Sequence, residues 1–286
     1  MRVLRLVPLY ALMALAAVYI LAPLAWMALL SVMTQVEAIS VPPHWIPEHP
    51  TLANYGAFFH PSTAQALVGA DAITDMPYAI MNSIVVALGV TIANVVLASL
   101  AAYSFARLDF RFSAALMVAY LVARIVPAVA VMIPLYVVIS RLGLLNQLTG
   151  LILVETGLTL PFSIWVLASY FRTIPRDLED AARIDRCGWM KTMVRIFLPV
   201  ALPGLVATAI FAFMESWGAF VYPLLFTDGG IHTTLPVIVA NFVTDINVDY
   251  GLLATAGIFA ALPPFLLVLF FQRWIVQGVA AGAVKG

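Results

Sequence analysis

Apolar residues gather along this chain into six long runs, approximately Leu6–Met33, Tyr78–Phe105, Ser113–Ile139, Gly150–Phe171, Val200–Phe226 and Leu252–Ile275. A helix needs roughly 20 apolar residues to cross about 30 Å of hydrocarbon. The pattern therefore predicts an all-α, polytopic membrane protein with six transmembrane helices, forming a single domain over 1–286. The first run follows Arg2 and Arg5 and is too long for the apolar core of a signal peptide, which spans about 7–15 residues. It reads as a retained helix. Pro23, Pro127, Pro134, Pro161 and the Pro263–Pro264 pair fall inside apolar runs. They predict kinks whose freed carbonyls are satisfied by neighbouring helices.

Between the fourth and fifth runs the pattern changes. Phe171–Pro199, FRTIPRDLEDAARIDRCGWMKTMVRIFLP, holds Arg172, Arg176, Arg183, Arg186, Lys191 and Arg195, together with Asp177, Glu179, Asp180 and Asp185. This loop of 172–199 reads as water-exposed and helix-forming. Pro175 stands where a helix begins, and acids in the first turns suit the positive end of its dipole. Leu178, Ala181, Ala182 and Asp185 recur at spacings of three to four, giving a face of small and apolar side chains. Two readings of that face stay open: a helix laid in a groove of another protein, small residues allowing close approach, or an amphipathic helix resting on lipid.

Composition sharpens the class. The chain is 64% hydrophobic and 10% charged, against about 25% charged in soluble domains. Its formal net charge of zero gives no reason to expect a nucleic-acid partner. Cys187 is the one cysteine, so no internal disulfide can form. Lys and Arg fall twelve to one on alternate sides of the six spans, with Arg141 alone on the poorer side and Arg124 inside a span. The segments 34–77 and 227–251 carry Glu37, Glu48, Asp71, Asp75, Asp228, Asp245 and Asp249 but no Lys or Arg. The positive-inside rule then places both termini and the charged loop in the cytoplasm. The Pro- and aromatic-rich VPPHWIPEHPTLANYGAFF of the first outer loop reads as an interfacial segment, a small cap or a plain connector.

The chemistry that would make the chain an enzyme is missing. It has no GxxxxGK[ST] phosphate loop, no HExxH, no CxxC and no GxSxG, so ATP is not bound by that means. His44, His49, His60 and His232 all fall in outer loops, without metal-ligand spacing. An intramembrane enzyme is disfavoured on these grounds. A secondary transporter or channel acting alone is the stronger rival, although no clear inverted repeat supports it.

The run LEDAARID, Leu178 to Asp185, followed by the IFLP of Ile196 to Pro199, resembles the EAA loop of ABC-importer permeases. The likeness extends through Asn82–Ser83, AAYSFARLDF, RLGLLNQLTGLIL, LPFSIWVLASYFRTIPRDLEDAARID and the terminal QRWIVQGVAAGAVKG. Together these identify the chain as similar to the MalG-type branch, inner-membrane permease subunits of carbohydrate importers. The resemblance implies the type I ABC importer permease fold in a bacterial cell membrane. It further implies a heterodimer with a second, homologous permease, two cytoplasmic ATPase subunits that bind ATP and Mg, an extracytoplasmic sugar-binding protein, and no cofactor or metal bound by this chain. The charged loop becomes a coupling helix seated in the ATPase, with Glu179, Asp180, Ala181 and Ala182 as the docking face and Asp185 beside it. Transport would proceed by alternating access. Four departures stand out. Asp180 replaces the family's Glu, Arg186 its Gly, and Cys187 the following Ala, while Trp217-Gly218-Ala219-Phe220 stands where Trp-Asn-Glu-Phe is frequent. Gly188 is the position expected to take over the turn, with Arg186 free to pair with the ATPase.

Charges inside spans are costly and face a cavity or a partner. Arg124, Glu155 and Glu215 meet that description, and Trp217 lies near Glu215. With sugar as cargo, Arg124, Glu215 and Trp217 are expected to touch hydroxyl groups, Glu155 and Asn82 completing the pathway set. The competing reading is an ion pair of Arg124 with Glu155 or Glu215 that only neutralises buried charge. Asn82 also suits an interhelical hydrogen bond of about 0.6–2 kcal/mol. Which sugar, amino sugar or polyol derivative is carried is not written in these residues.

Overall fold

The computed structural model describes residues 2–59, 70–243 and 248–283. His60, Asp245, Lys285 and the end of the AGAVKG tail lie outside the described residues. Among the described residues the chain is helical, with one isolated bridge between Val243 and Val248 as its only extended pairing. The helices are α1 (Arg2–Ser31), α2 (Gln35–Ala38), α3 (Ala53–Phe59), α4 (Ala70–Arg107), α5 (Ser113–Ala123), α6 (Ala128–Arg141) and α7 (Leu148–Thr173). They continue with α8 (Asp177–Ile184), α9 (Trp189–Val200), α10 (Leu202–Trp217), α11 (Val221–Phe226), α12 (Leu235–Asn241) and α13 (Tyr250–Ala283).

Four helices are long and apolar enough to span a membrane, and two bent pairs bring the number to six. The third and fifth runs, expected as single spans, are broken. α5 and α6 meet at 97°, because Pro127 caps α6 and a residue ahead of proline is driven out of the helical region. α9 and α10 meet at 82°, with Pro203 in the first turn of α10, where a missing N–H costs nothing. α10 then stops at Gly218 and α11 resumes at Val221. The second span starts earlier than its apolar run, at Ala70, and the last continues to Ala283.

Contacts divide the described chain into two compact units. The first comprises 1–77 and 238–262. Within it the carbonyls freed at the end of α1 are taken up by side chains. Asn54 Nδ2 donates to Ser31 O and Met33 O, both at 2.9 Å, and Thr255 Oγ1 to Ser31 O. Phe58 is fully buried against the rings of Phe242 and Phe259. The segment after α1 therefore packs within this unit through Asn54 and Phe58, while Trp45 and Ile46 on it stay exposed. The apolar side chains along most of α1 are also exposed.

The second unit comprises 78–237 and 263–286, with α7 at its centre, packed against α5 and most closely against α10. Small residues permit the approach. A Cβ on Gly204 would lie 2.6 Å from Tyr170 Cγ, so the α10 backbone rests on the root of that ring, as small residues allow in membrane helix pairs. In the first half of α4, Asn82 Nδ2 donates to Ile231 O and Thr233 O at 2.8 Å, and Ser83 Oγ accepts the Leu235 N–H. Nearby, Asn146 and Asp228 clasp each other through two hydrogen bonds of 2.7 and 2.8 Å. Gly204→Ala is expected to force α10 off α7 and cost about 1–3 kcal/mol, read as a lower unfolding midpoint of the purified assembly, with Gly204→Leu failing to assemble.

Candidate coupling loop and intramembrane charge pair

The loop helix α8 forms where the sequence places it. Arg176 caps it, Asp177, Glu179 and Asp180 occupy its first turn and Arg183 its last, the charge order its dipole favours. Arg183 Nη2 donates to Glu179 Oε1 at 2.9 Å across one turn. The helix has an inward and an outward side. Glu179 and Ala182 are buried against their own bundle, whereas Asp180, Ala181, Asp185 and Ile184 are exposed. The four residues expected as one docking face are thus divided between the two sides. Ile184, 83% exposed, was not singled out from the sequence. Its spacing of three from Ala181 and seven from Asp177 was the available signal.

The helix ends in a Schellman motif. Arg186 N–H donates to Arg183 O at 3.0 Å and Cys187 N–H to Ala182 O at 2.9 Å, the pair of bonds that closes a helix on a left-handed residue. That residue is Arg186, with φ of 53°. Gly188, at φ −68° and ψ 160°, is extended as any residue could be. The expectation that Gly188 takes over the turn is therefore corrected: the bend stays at position 186, and an arginine bears the strain there. Downstream, α9 opens into a π-turn over Met193–Phe197.

Where the third span breaks, Arg124 and Glu215 form an ion pair at 3.1 Å, with side chains 32% and 43% exposed. Arg124 stands at the end of α5, at the break in the third span. Its guanidinium lies 4.8 Å from the Phe162 ring and 5.1 Å from that of Phe211, rings which are themselves 4.2 Å apart. Such contacts hold a cation by the ring quadrupole and fix its plane. Glu155 is elsewhere. It is 3% exposed, accepts a hydrogen bond from Ser216 Oγ, and belongs to a buried polar ladder across three helices. In that ladder Asn94 Nδ2 of α4 donates to Thr159 Oγ1 of α7 at 2.7 Å, and Thr159 donates to the Glu155 carbonyl. Trp217 is 4% exposed and stacks on Phe213 at 5.7 Å. Of the five residues expected to line a pathway, only Arg124 and Glu215 come together on an exposed face. Glu155 and Trp217 are packed inside, and Asn82 is engaged with Ile231 and Thr233. Among the described residues no cluster of His, Cys, Asp or Glu could hold a metal ion.

A family profile described as binding-protein-dependent transport system inner membrane component matches residues 94–281. The trehalose/maltose transport system permease protein MalG of Thermococcus litoralis is 32% identical, over 95% of this chain and 94% of its own. The sulfoquinovosyl glycerol transport system permease protein SmoH of Agrobacterium fabrum is also 32% identical, over 92% of this chain and 88% of its own. A chain from the crystal structure of a bacterial ABC transporter involved in import of the acidic polysaccharide alginate shares the fold, with a TM-score of 0.79 at 16% identity, covering 95% of this chain and 96% of that one. Because position 186 carries an arginine in a left-handed conformation, Arg186→Gly is expected to stabilise the chain by about 0.5–1 kcal/mol after the extra chain entropy glycine loses. A raised unfolding midpoint with an unchanged subunit ratio is the measurement that checks it.

Proposed function

Because this chain belongs to the family of binding-protein-dependent transport system inner membrane components, we propose that it is one permease half of an ATP-driven carbohydrate importer, acting over its whole length as a single permease domain. Its partners are a homologous second permease, two ATPase subunits that bind ATP and Mg, and an extracytoplasmic binding protein. The chain itself carries out no catalysis. Both termini and α8 lie on the cytoplasmic side, in keeping with the distribution of Lys and Arg. The sugar cargo is supported by relatives named for trehalose/maltose, sulfoquinovosyl glycerol and diacetylchitobiose.

The observation that carries the reading is the two-sidedness of α8. Glu179 and Ala182 seat the helix on its own bundle, leaving Asp180, Ala181, Ile184 and Asp185 as an outward strip of apolar and acidic groups. A short helix anchored on one side and bare on the other fits a groove on a second protein, here the ATPase. Arg186 and Gly188 flank the same contact. Asp180→Lys, with Ile184→Asp as a second variant, is expected to detach the ATPase from the purified complex or to abolish its stimulation by sugar-loaded binding protein. Full assembly with normal stimulated hydrolysis and uptake in both variants would return α8 to the lipid surface and favour a transporter that works alone.

In the membrane, the pathway role falls to Arg124 and Glu215, with Phe162 and Phe211 as the apolar platform. A forked donor, a carboxylate acceptor and ring faces together match the alternating hydroxyl and C–H surfaces of a sugar. Glu155 and Trp217, packed inside the bundle, and Asn82, bonded to Ile231 and Thr233, brace the helices and do not touch the sugar. Arg124→Gln and Glu215→Gln are each expected to raise the sugar concentration needed for half-maximal uptake about tenfold, the loss of one charge-assisted hydrogen bond, while subunit assembly stays intact. Equal uptake curves for wild type and both variants would leave the pair with a charge-neutralising role only.

A further inference from the structure

At the end of the second unit that carries α8, two helices finish side by side. α4 ends at Arg107 and α7 at Thr173, and each leaves carbonyls without an intrahelical partner. The two ends are closed by exchange of arginines. Arg107 Nη2 donates to Phe171 O at 2.7 Å and also to Ile174 O, while Arg172 Nη2 of α7 reaches back to Phe105 O at 3.4 Å. Cations at two helix C-termini are favoured by both dipoles. Arg107 does more than cap. Its guanidinium lies 4.8 Å from the centre of the Phe197 ring, in the π-turn of α9. That ring is held edge-on by Tyr103 of α4 at 5.1 Å and by Phe171 of α7 at 5.8 Å. Among charged groups, Glu179 on the inward side of α8 is the one whose field acts most on Arg107.

One side chain therefore touches the root of everything that leads into and out of the coupling loop: the end of α4, the end of α7 before α8, and the turn of α9 after it. α8 is connected to the bundle by Ile174–Arg176 on one side and Asp185–Gly188 on the other. Without Arg107 both connections could flex while α8 stayed in place on its partner. We propose that Arg107 is the positioning residue that makes α8 and the ends of α4 and α7 move as one body, so that force applied to the loop reaches the membrane spans. This rests on the reading of α8 as the ATPase-docking element. Coupling carried by contiguous packed and hydrogen-bonded groups is the physical form such transmission takes; one nitrogen, Nη2, donates to both carbonyls, while the planar guanidinium lies against the Phe197 ring as an ammonium does less well.

The test uses the complete complex in proteoliposomes, with Arg107→Gln and Arg107→Lys. Three quantities are read: subunit ratio, ATP hydrolysed with and without loaded binding protein, and sugar taken up per ATP. With Arg107→Gln the ATPase is expected to remain bound and to hydrolyse ATP, while uptake per ATP falls about tenfold, within the range by which one residue in such a contact chain changes coupling. Arg107→Lys, which keeps the charge but not the planar group against Phe197, is expected to lie between the two, and it decides the matter if the Gln variant does not assemble. Wild-type uptake per ATP in an assembled variant overturns the proposal. So does loss of ATPase from Arg107→Lys, because the residue then builds the dock and does not transmit through it. Asp180→Lys, run alongside, separates the failures: if it leaves assembly and coupled uptake intact, the docking reading itself falls, whatever Arg107 does.

Discussion

Hydrocarbon offers a backbone amide no partner except other protein groups, and the places where this chain breaks a helix inside an apolar run have to answer to that constraint. The third run breaks at 124–127 and the fifth at 218–220. Both breaks lie beside the Arg124–Glu215 pair, Arg124 at the first and Glu215 three residues before the second. A continuous α5–α6 rod would have no open turn for Arg124 to occupy. The charge pair, the two aromatic rings around it and the two bends therefore form one arrangement, in which irregular backbone and intramembrane charge account for each other.

Against these two bent spans, α4 and α7 are continuous and tied to their neighbours at several levels. Asn82 and Ser83 fasten the first half of α4 to the segment from 231 to 235. The Asn94–Thr159–Glu155–Ser216 ladder joins α4, α7 and α10 in the middle, and the arginine exchange closes the other end. In hydrocarbon such polar ties are worth more for where they place helices than for their net energy, which is of order 0.6 kcal/mol each. The unit thus consists of straight helices cross-braced by polar groups and bent helices that carry the exposed charge.

Much of this was legible in the residues. The apolar runs fall on the long helices and the bent pairs, and the acids of DLED fall in the first turn of α8. Periodicity could not find the breaks, because proline inside an apolar run reads the same whether the helix runs on through it, as at Pro161, or stops, as at Pro127. That choice depends on whether a neighbour can take up the freed carbonyls, which is tertiary information. The residues expected to line a pathway divide between two environments for a similar reason. Glu155 and Glu215 look alike in sequence, yet one meets a serine hydroxyl inside the bundle and the other a guanidinium at an open face. Position 186 showed the opposite: the substitution was visible in the sequence, but a left-handed arginine kept the turn in place where a later glycine had been expected to move it.

Cys187 follows that arginine directly, half-buried at the end of α8, and the chain has no other thiol. A probe attached there needs no background cysteines removed from this subunit. A label there would sit one residue from the left-handed turn that ends α8, so with α8 as the proposed dock, a single probe would report whether that turn opens while ATP is hydrolysed.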